Sequence, residues 1–176
     1  PARRLSAAAI PLSDIKSARI QKLIKDMKAL LANEKYGVAL AAPQVGESLR
    51  LFIVSGKAIA RDSRIAPDAA IGPPKDSTPA QGGPAVGRDQ IYINPELLKL
   101  SREKKKKHEG CLSIRGKWGE VPRAEKATIR AYDENGARFT RGAAGFLAHV
   151  FQHEMDHLEG ILYIDKATNV YDEPEE

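Results

Sequence analysis

Apolar residues first recur at helical spacing over Ile20, Leu23, Ile24, Met27, Leu30 and Leu31. This predicts a helix from about Ser13 to Asn33 with Ser13 capping its start. The period then changes. Leu51–Ser55 and Gln90–Asn94 are short apolar runs that predict strands, and Ala127–Asp133 and Ala137–Thr140 flank Asn135-Gly136, a strong hairpin signal. Helical spacing returns from about Gly142 to Glu159. There Phe146, Leu147, Val150 and Leu158 form the apolar side, and Gly160 stands where a left-handed C-terminal cap is expected. Strands and helices do not alternate as βαβ units, so the pattern predicts an α+β fold with antiparallel sheets.

Composition keeps the chain in one piece. Its 176 residues, 42% hydrophobic and 29% charged, suit a single globular domain spanning 1–176, and no apolar run is long enough to cross a bilayer. Between residues 61 and 90 the pattern lapses, and five of the eleven prolines and four of the fourteen glycines fall there. That stretch predicts an insertion loop on the surface, with a covering role over a cleft as the second reading. A single cysteine cannot form an internal disulfide, which suits a reducing cytoplasm, while the start at Pro1 rather than Met leaves room for a removed presequence. The net charge of +5 is concentrated at Lys104-Lys105-Lys106-Lys107-His108. This run predicts a solvated loop or strand edge. It lacks interleaved aromatic residues, so no specific nucleic-acid partner is expected.

Candidate chemistry lies in the last predicted helix. His153-Glu154-Met155-Asp156-His157 is an H-E-x-x-H, which sets two imidazoles one helical turn apart and a carboxylate beside the first. A catalytic tetrahedral metal site usually takes three protein ligands, so the third decides the class. A metzincin would continue to a third His, but position 163 is Tyr163. A thermolysin-like peptidase would use a Glu on a later helix, and the nineteen residues after His157, with Pro174 among them, offer none. Upstream, Cys111 in Glu109-Gly110-Cys111-Leu112-Ser113 makes a Cys/His/His set with one open position the most economical assembly.

A third segment, Gly37-Val38-Ala39-Leu40-Ala41-Ala42-Pro43-Gln44, is small and apolar and ends in one amide side chain. The three segments, in this order, resemble peptide deformylase, whose members carry G-x-G-x-A-A-P-Q, E-G-C-x-S and Q-H-E-x-D-H-x-x-G. The likeness runs from about Leu23 to Asp165 and takes in Val121-Pro122-Arg123-Ala124-Glu125-Lys126. It implies antiparallel sheets packed around the metal-binding helix, and removal of the formyl group from N-formylmethionyl nascent peptides in the cytoplasm of a bacterial-type cell. Cys111, His153 and His157 would hold Fe²⁺, with Zn²⁺, Ni²⁺ or Co²⁺ able to substitute. Water activated by the ion would attack the formyl carbon, Glu154 would be general acid and base, and Gln44 with the Leu112 backbone N–H would stabilise the oxyanion. Gly37, Val38 and Ala39, with Glu109 and Gly110, would meet an extended substrate backbone, and Phe146 and Val150 would wall the methionine pocket. His149, on the same helical stripe, is read as a packing or surface residue. Transient proximity to the ribosome is implied, without the C-terminal docking helix of some bacterial members.

Ala39 departs from the family pattern, which has glycine there, and this puts substrate docking in question. Two other readings follow from the same residues: a deformylase-like protein that binds peptide N-termini without turnover, and a zincin-type metallopeptidase. The missing third His or late Glu tells against the latter.

Overall fold

The computed structural model describes residues 6–35, 37–62 and 88–172. In chain order these form α1 (Ala18–Asn33), β1 (Ala39–Ala41), β2 (Leu51–Val54), α2 (Gly56–Asp62) and β3 (Gln90–Leu100). There follow β4 (Lys104–Cys111), β5 (Ile114–Ala124), β6 (Lys126–Tyr132), β7 (Arg138–Ala144), α3 (Gly145–Leu158) and β8 (Asn169–Asp172). All strand pairings are antiparallel. One sheet has the order β1-β2-β3-β6-β7 and the other β4-β5-β8. The α+β expectation therefore holds, whereas most of the 61–90 insertion lies outside the described residues.

At its β1-β2 end and the start of β3 the larger sheet is buried on both faces, because these strands carry apolar residues at successive positions. On one face Ala39, Ala41, Phe52, Val54 and Tyr92 pack with Leu147, Val150, Phe151 and Leu158 of α3. On the other, Leu40, Leu51, Ile53 and Ile93 pack with Ile20, Ile24, Met27 and Leu31 of α1. Alternation along each strand supplies these two layers, so α1 and α3 are separated by the sheet. Phe52, Tyr92 and Phe151 form an aromatic cluster beneath α3, with Phe52 stacked on Tyr92 at 4.7 Å.

Three predicted boundaries shift. The helix begins at Ala18, with the Ser17 hydroxyl accepting the Ile20 N–H, because Leu12–Asp14 closes a separate 3₁₀ turn after Pro11. β3 continues past Asn94 to Leu100. Asn94 takes a left-handed conformation (φ 47°) and its side-chain amide bonds both backbone groups of Ile10, so the strand bulges at Asn94-Pro95 and resumes its pairing. The last helix starts at Gly145 because β7 runs on to Ala144. Gly145 makes the strand-to-helix turn at φ 57°, which a side chain would disfavour, and Gly160 beyond the other end has the expected left-handed φ of 69°.

The chain crosses from the smaller sheet to the larger at one residue, Glu125, between β5 and β6. Gln152 of α3 secures this corner. Its Oε1 accepts the Ala124 N–H at 2.9 Å, while its Nε2 donates to the carbonyls of Ala124 and Ala148. A buried amide thus completes the ladder where β5 ends, and fixes α3 across the junction of the two sheets.

Candidate metal centre

Two elements deliver the donor set. α3 carries His153 and His157 one turn apart with their rings 4.7 Å from centroid to centroid, and their Nε2 atoms lie 3.1 Å from each other. Cys111 ends β4, where Leu112 and Ser113 form the two-residue turn into β5 that pairs Cys111 with Ile114. This turn brings Cys111 Sγ within 3.2 Å of His157 Nε2, and the ligand atoms of Cys111, His153 and His157 all lie within 4.8 Å of one another. Tetrahedral ligands at the usual zinc–sulfur and zinc–nitrogen distances would be roughly 3.3–3.7 Å apart, so one thiolate and two imidazoles converge at the scale of a single ion. The residues fit a divalent metal.

Glu154, next to His153 in α3, is buried. One carboxylate oxygen, Oε2, has no hydrogen-bond partner among the described residues, and burial raises its pKa to about 7. A carboxyl poised near neutrality can take and return a proton. Gln44 arrives on the 3₁₀ turn after β1. Its Oε1 accepts the Ala41 N–H at 2.8 Å, which aims Nε2 at Ser113 Oγ (3.0 Å) and Cys111 Sγ (3.5 Å). The Leu112 N–H, in the turn itself, has no acceptor among the described residues.

The support behind the ligands extends well beyond the motifs. His153 Nδ1 meets Glu109 Oε2 at 2.9 Å, leaving its Nε2 on the metal side. Arg123 of β5 clamps Glu109 with two bonds of 2.7 and 2.9 Å and reaches Asp156 at 2.5 Å, and Lys166 pairs with the other oxygen of Asp156 at 2.6 Å. Burial works against ionised Glu109, but hydrogen bonds from Arg123 and His153 bring its pKa down to about 2. Burial likewise opposes protonated His153, while hydrogen bonds to Cys111 and Glu109 hold its pKa up at about 10. His157 is pushed down to about 3 by burial and by the neighbouring His153.

Both carboxylate oxygens of Glu109 are engaged by Arg123 and His153, which turns its side chain to the buried side of β4. Gly110 lies beside the Trp118 ring. Gly37 and Val38 precede β1 and accept bonds from Ser55 through their carbonyls, and β1 is an edge strand. Ala39 is in the strand itself, 8% exposed, with its methyl in the core layer under α3 and no left-handed φ. Val150 belongs to that layer, whereas Phe146 is 41% exposed at the start of α3. His149 is buried, its Nδ1 3.7 Å from Glu109 Oε1, and burial lowers its pKa to about 4. Arg123 and Asp156 stood in segments that sequence reading quoted, but only their burial and mutual distance identify them as supports of the centre. Lys166 carries no sequence signal at all.

A buried H-E-x-x-H helix, a cysteine thiol and a free buried carboxylate, set in an antiparallel α+β frame, define the class of metal-dependent hydrolases. The family profile of polypeptide deformylase matches residues 1–173. The chain is 40% identical over 172 residues to a peptide deformylase of Symbiobacterium thermophilum, covering 97% of this chain and 65% of that protein. To a peptide deformylase of Desulforudis audaxviator it is 32% identical over 167 residues, covering 92% and 90%. A crystal structure of the class I type b peptide deformylase from Acinetobacter baumannii with Met-Ala-Ser bound superposes with a TM-score of 0.71 and 32% identity, over 93% of this chain and 90% of that one. The chain belongs to the peptide deformylase family.

Proposed function

We propose that this protein hydrolyses the formyl–nitrogen bond of N-formylmethionyl peptides, releasing formate and a free N-terminus. The observation that carries the reading is the convergence of Cys111, His153 and His157 beside buried Glu154, with the Gln44 amide 3.5 Å from the cysteine sulfur. Cys111, His153 and His157 would hold the ion, Fe²⁺ natively with Zn²⁺, Ni²⁺ or Co²⁺ in its place, and the ion supplies Lewis acidity that favours hydroxide over water near neutral pH.

The chain's own residues do the rest. Glu154 takes the proton of the attacking water on its free Oε2. As the carbon–nitrogen bond breaks, it delivers that proton to the departing peptide nitrogen. Gln44 Nε2 and the Leu112 N–H donate to the formyl oxygen as it gains charge, and the bond from Ala41 keeps the amide in that orientation without reorganisation. The free edge of β1 accepts the peptide as an added strand along Gly37, Val38 and Ala39, with Gly110 on the opposite wall and Val150 and Phe146 toward the methionine side chain. The Met-Ala-Ser complex of the Acinetobacter relative supports a peptide of this kind. Nascent chains supply such N-termini, which implies a cytoplasmic setting and transient proximity to the ribosome. The Ala39 methyl is turned into the core and so leaves the strand edge open to a peptide.

Glu154→Gln separates binding from chemistry. It keeps the shape but cannot accept the proton, so the variant retains its metal and loses about 10² to 10⁴ in kcat. A near-wild-type kcat would assign the proton to another group.

A further inference from the structure

Register sets what the smaller sheet shows to solvent. Lys104 stands opposite Ala124 and His108 opposite Glu120 across β4 and β5, and Trp118 stands opposite Tyr171 across β5 and β8. Opposed residues share a face and alternate residues return to it, so Lys104, Lys106, His108, Trp118, Glu120 and Tyr171 lie on one side. The contacts agree. Tyr171 Oη meets His108 Nδ1 with the rings edge to face at 5.8 Å, and the Trp118 ring lies over Gly110. The other side of the sheet is the buried one, with Glu109, Arg123 and Gly119 beneath α3, Tyr163 and Ala167.

Charge divides the same way. Lys105 and Lys107 pair with Glu125 at 3.3 and 3.5 Å, whereas Lys104 and Lys106 are exposed and have no carboxylate within ion-pair distance among the described residues. The strand edge is thus cationic on its outer face only. The aromatic residues missing from the Lys104–His108 run come from the neighbouring strands, which a linear reading cannot show.

We propose that this face binds single-stranded nucleic acid without sequence preference, phosphates against Lys104 and Lys106 and bases against Trp118, His108 and Tyr171. Unpaired lysines beside an exposed His108 and the half-buried rings of Trp118 and Tyr171 supply the two components of such surfaces, because every base has a face to stack and every nucleotide a charge. Glu120, the one carboxylate on this side among the described residues, can accept from an exocyclic amino group and turns the phosphates toward the lysine end. An acidic peptide would answer the lysines but offers nothing flat to the rings.

Trp118 is the only tryptophan of the chain, so its emission reports the surroundings of this one ring, and the titration is run without peptide. The metal-loaded protein is titrated with an oligouridylate of about twelve nucleotides, within the usual site sizes for single-strand binders. Saturable quenching is expected, with affinity falling with salt at a log–log slope of about −1.4 for two phosphates. Lys104→Glu with Lys106→Glu weakens binding about tenfold or more at an unchanged thermal midpoint, since both side chains are exposed. Unchanged Trp118 emission, wild-type affinity in the double variant, or equal quenching by heparin or by polyglutamate would each overturn the proposal.

Discussion

Glu109 does not touch the metal position, yet it governs the residue that does. Its Oε2 accepts from His153 Nδ1, which fixes the ring's orientation and raises the basicity of Nε2, and Arg123 keeps the carboxylate ionised. Glu109→Gln should weaken metal retention by about 10- to 100-fold while leaving the ligands in place, as measured by competition with a chelator. Linkage adds a second signature. The Glu109 pKa is about 2 in the fold against an ordinary 4.5, so its contribution is complete above about 4.5 and is lost as pH falls toward 2. Metal-stripped wild-type protein should lose stability through that window, and metal-stripped Glu109→Gln should lose less. The motif residues themselves were legible because H-E-x-x-H and E-G-C are contiguous strings with fixed chemistry. Glu109's role was not, since the bond it makes spans 44 residues of sequence.

At the scale of elements, periodicity located α1, β2, the β6–β7 hairpin and α3, because each buries a face with its own repeat. It failed at boundaries where a side chain replaces backbone bonding. The expected Ser13 cap gives way to Ser17, because Leu12–Asp14 closes its own 3₁₀ turn and Ile15 is buried before the helix begins. Asn94-Pro95 reads as a strand end, but the Asn94 amide stands in for a neighbouring strand and lets β3 continue. β1 gives a prediction of its own. Ala39 is extended with its methyl packed in the core, so Ala39→Gly should leave kcat/KM level or lower and cost about 0.5–1 kcal/mol of stability. A large gain in kcat/KM would mean that the methyl does obstruct substrate.

The whole molecule depends on how its two sheets are held to one helix. Gln152 joins α3 to the end of β5, and Arg123, with 4% of its side chain exposed, joins β5 to β4 and α3 through Glu109 and Asp156. Arg123→Ala would take from two buried carboxylates the guanidinium they share, leaving Glu109 only His153 and Asp156 only Lys166 as hydrogen-bond partners, and chemical denaturation should record a loss of about 3–5 kcal/mol. A loss under 1 kcal/mol would mean that the network relaxes into solvent. No helix among the described residues is long and apolar enough to cross a membrane.

The central claim is that the Cys/His/His centre on this frame is a working deformylase. Formate release from formyl-Met-Ala-Ser, by protein purified under oxygen exclusion and carrying about one divalent ion per chain, tests it most directly. Turnover that is proportional to bound metal, and that chelation abolishes and Fe²⁺ restores, is the predicted result. Metal-loaded, folded protein that releases no formate would contradict the account.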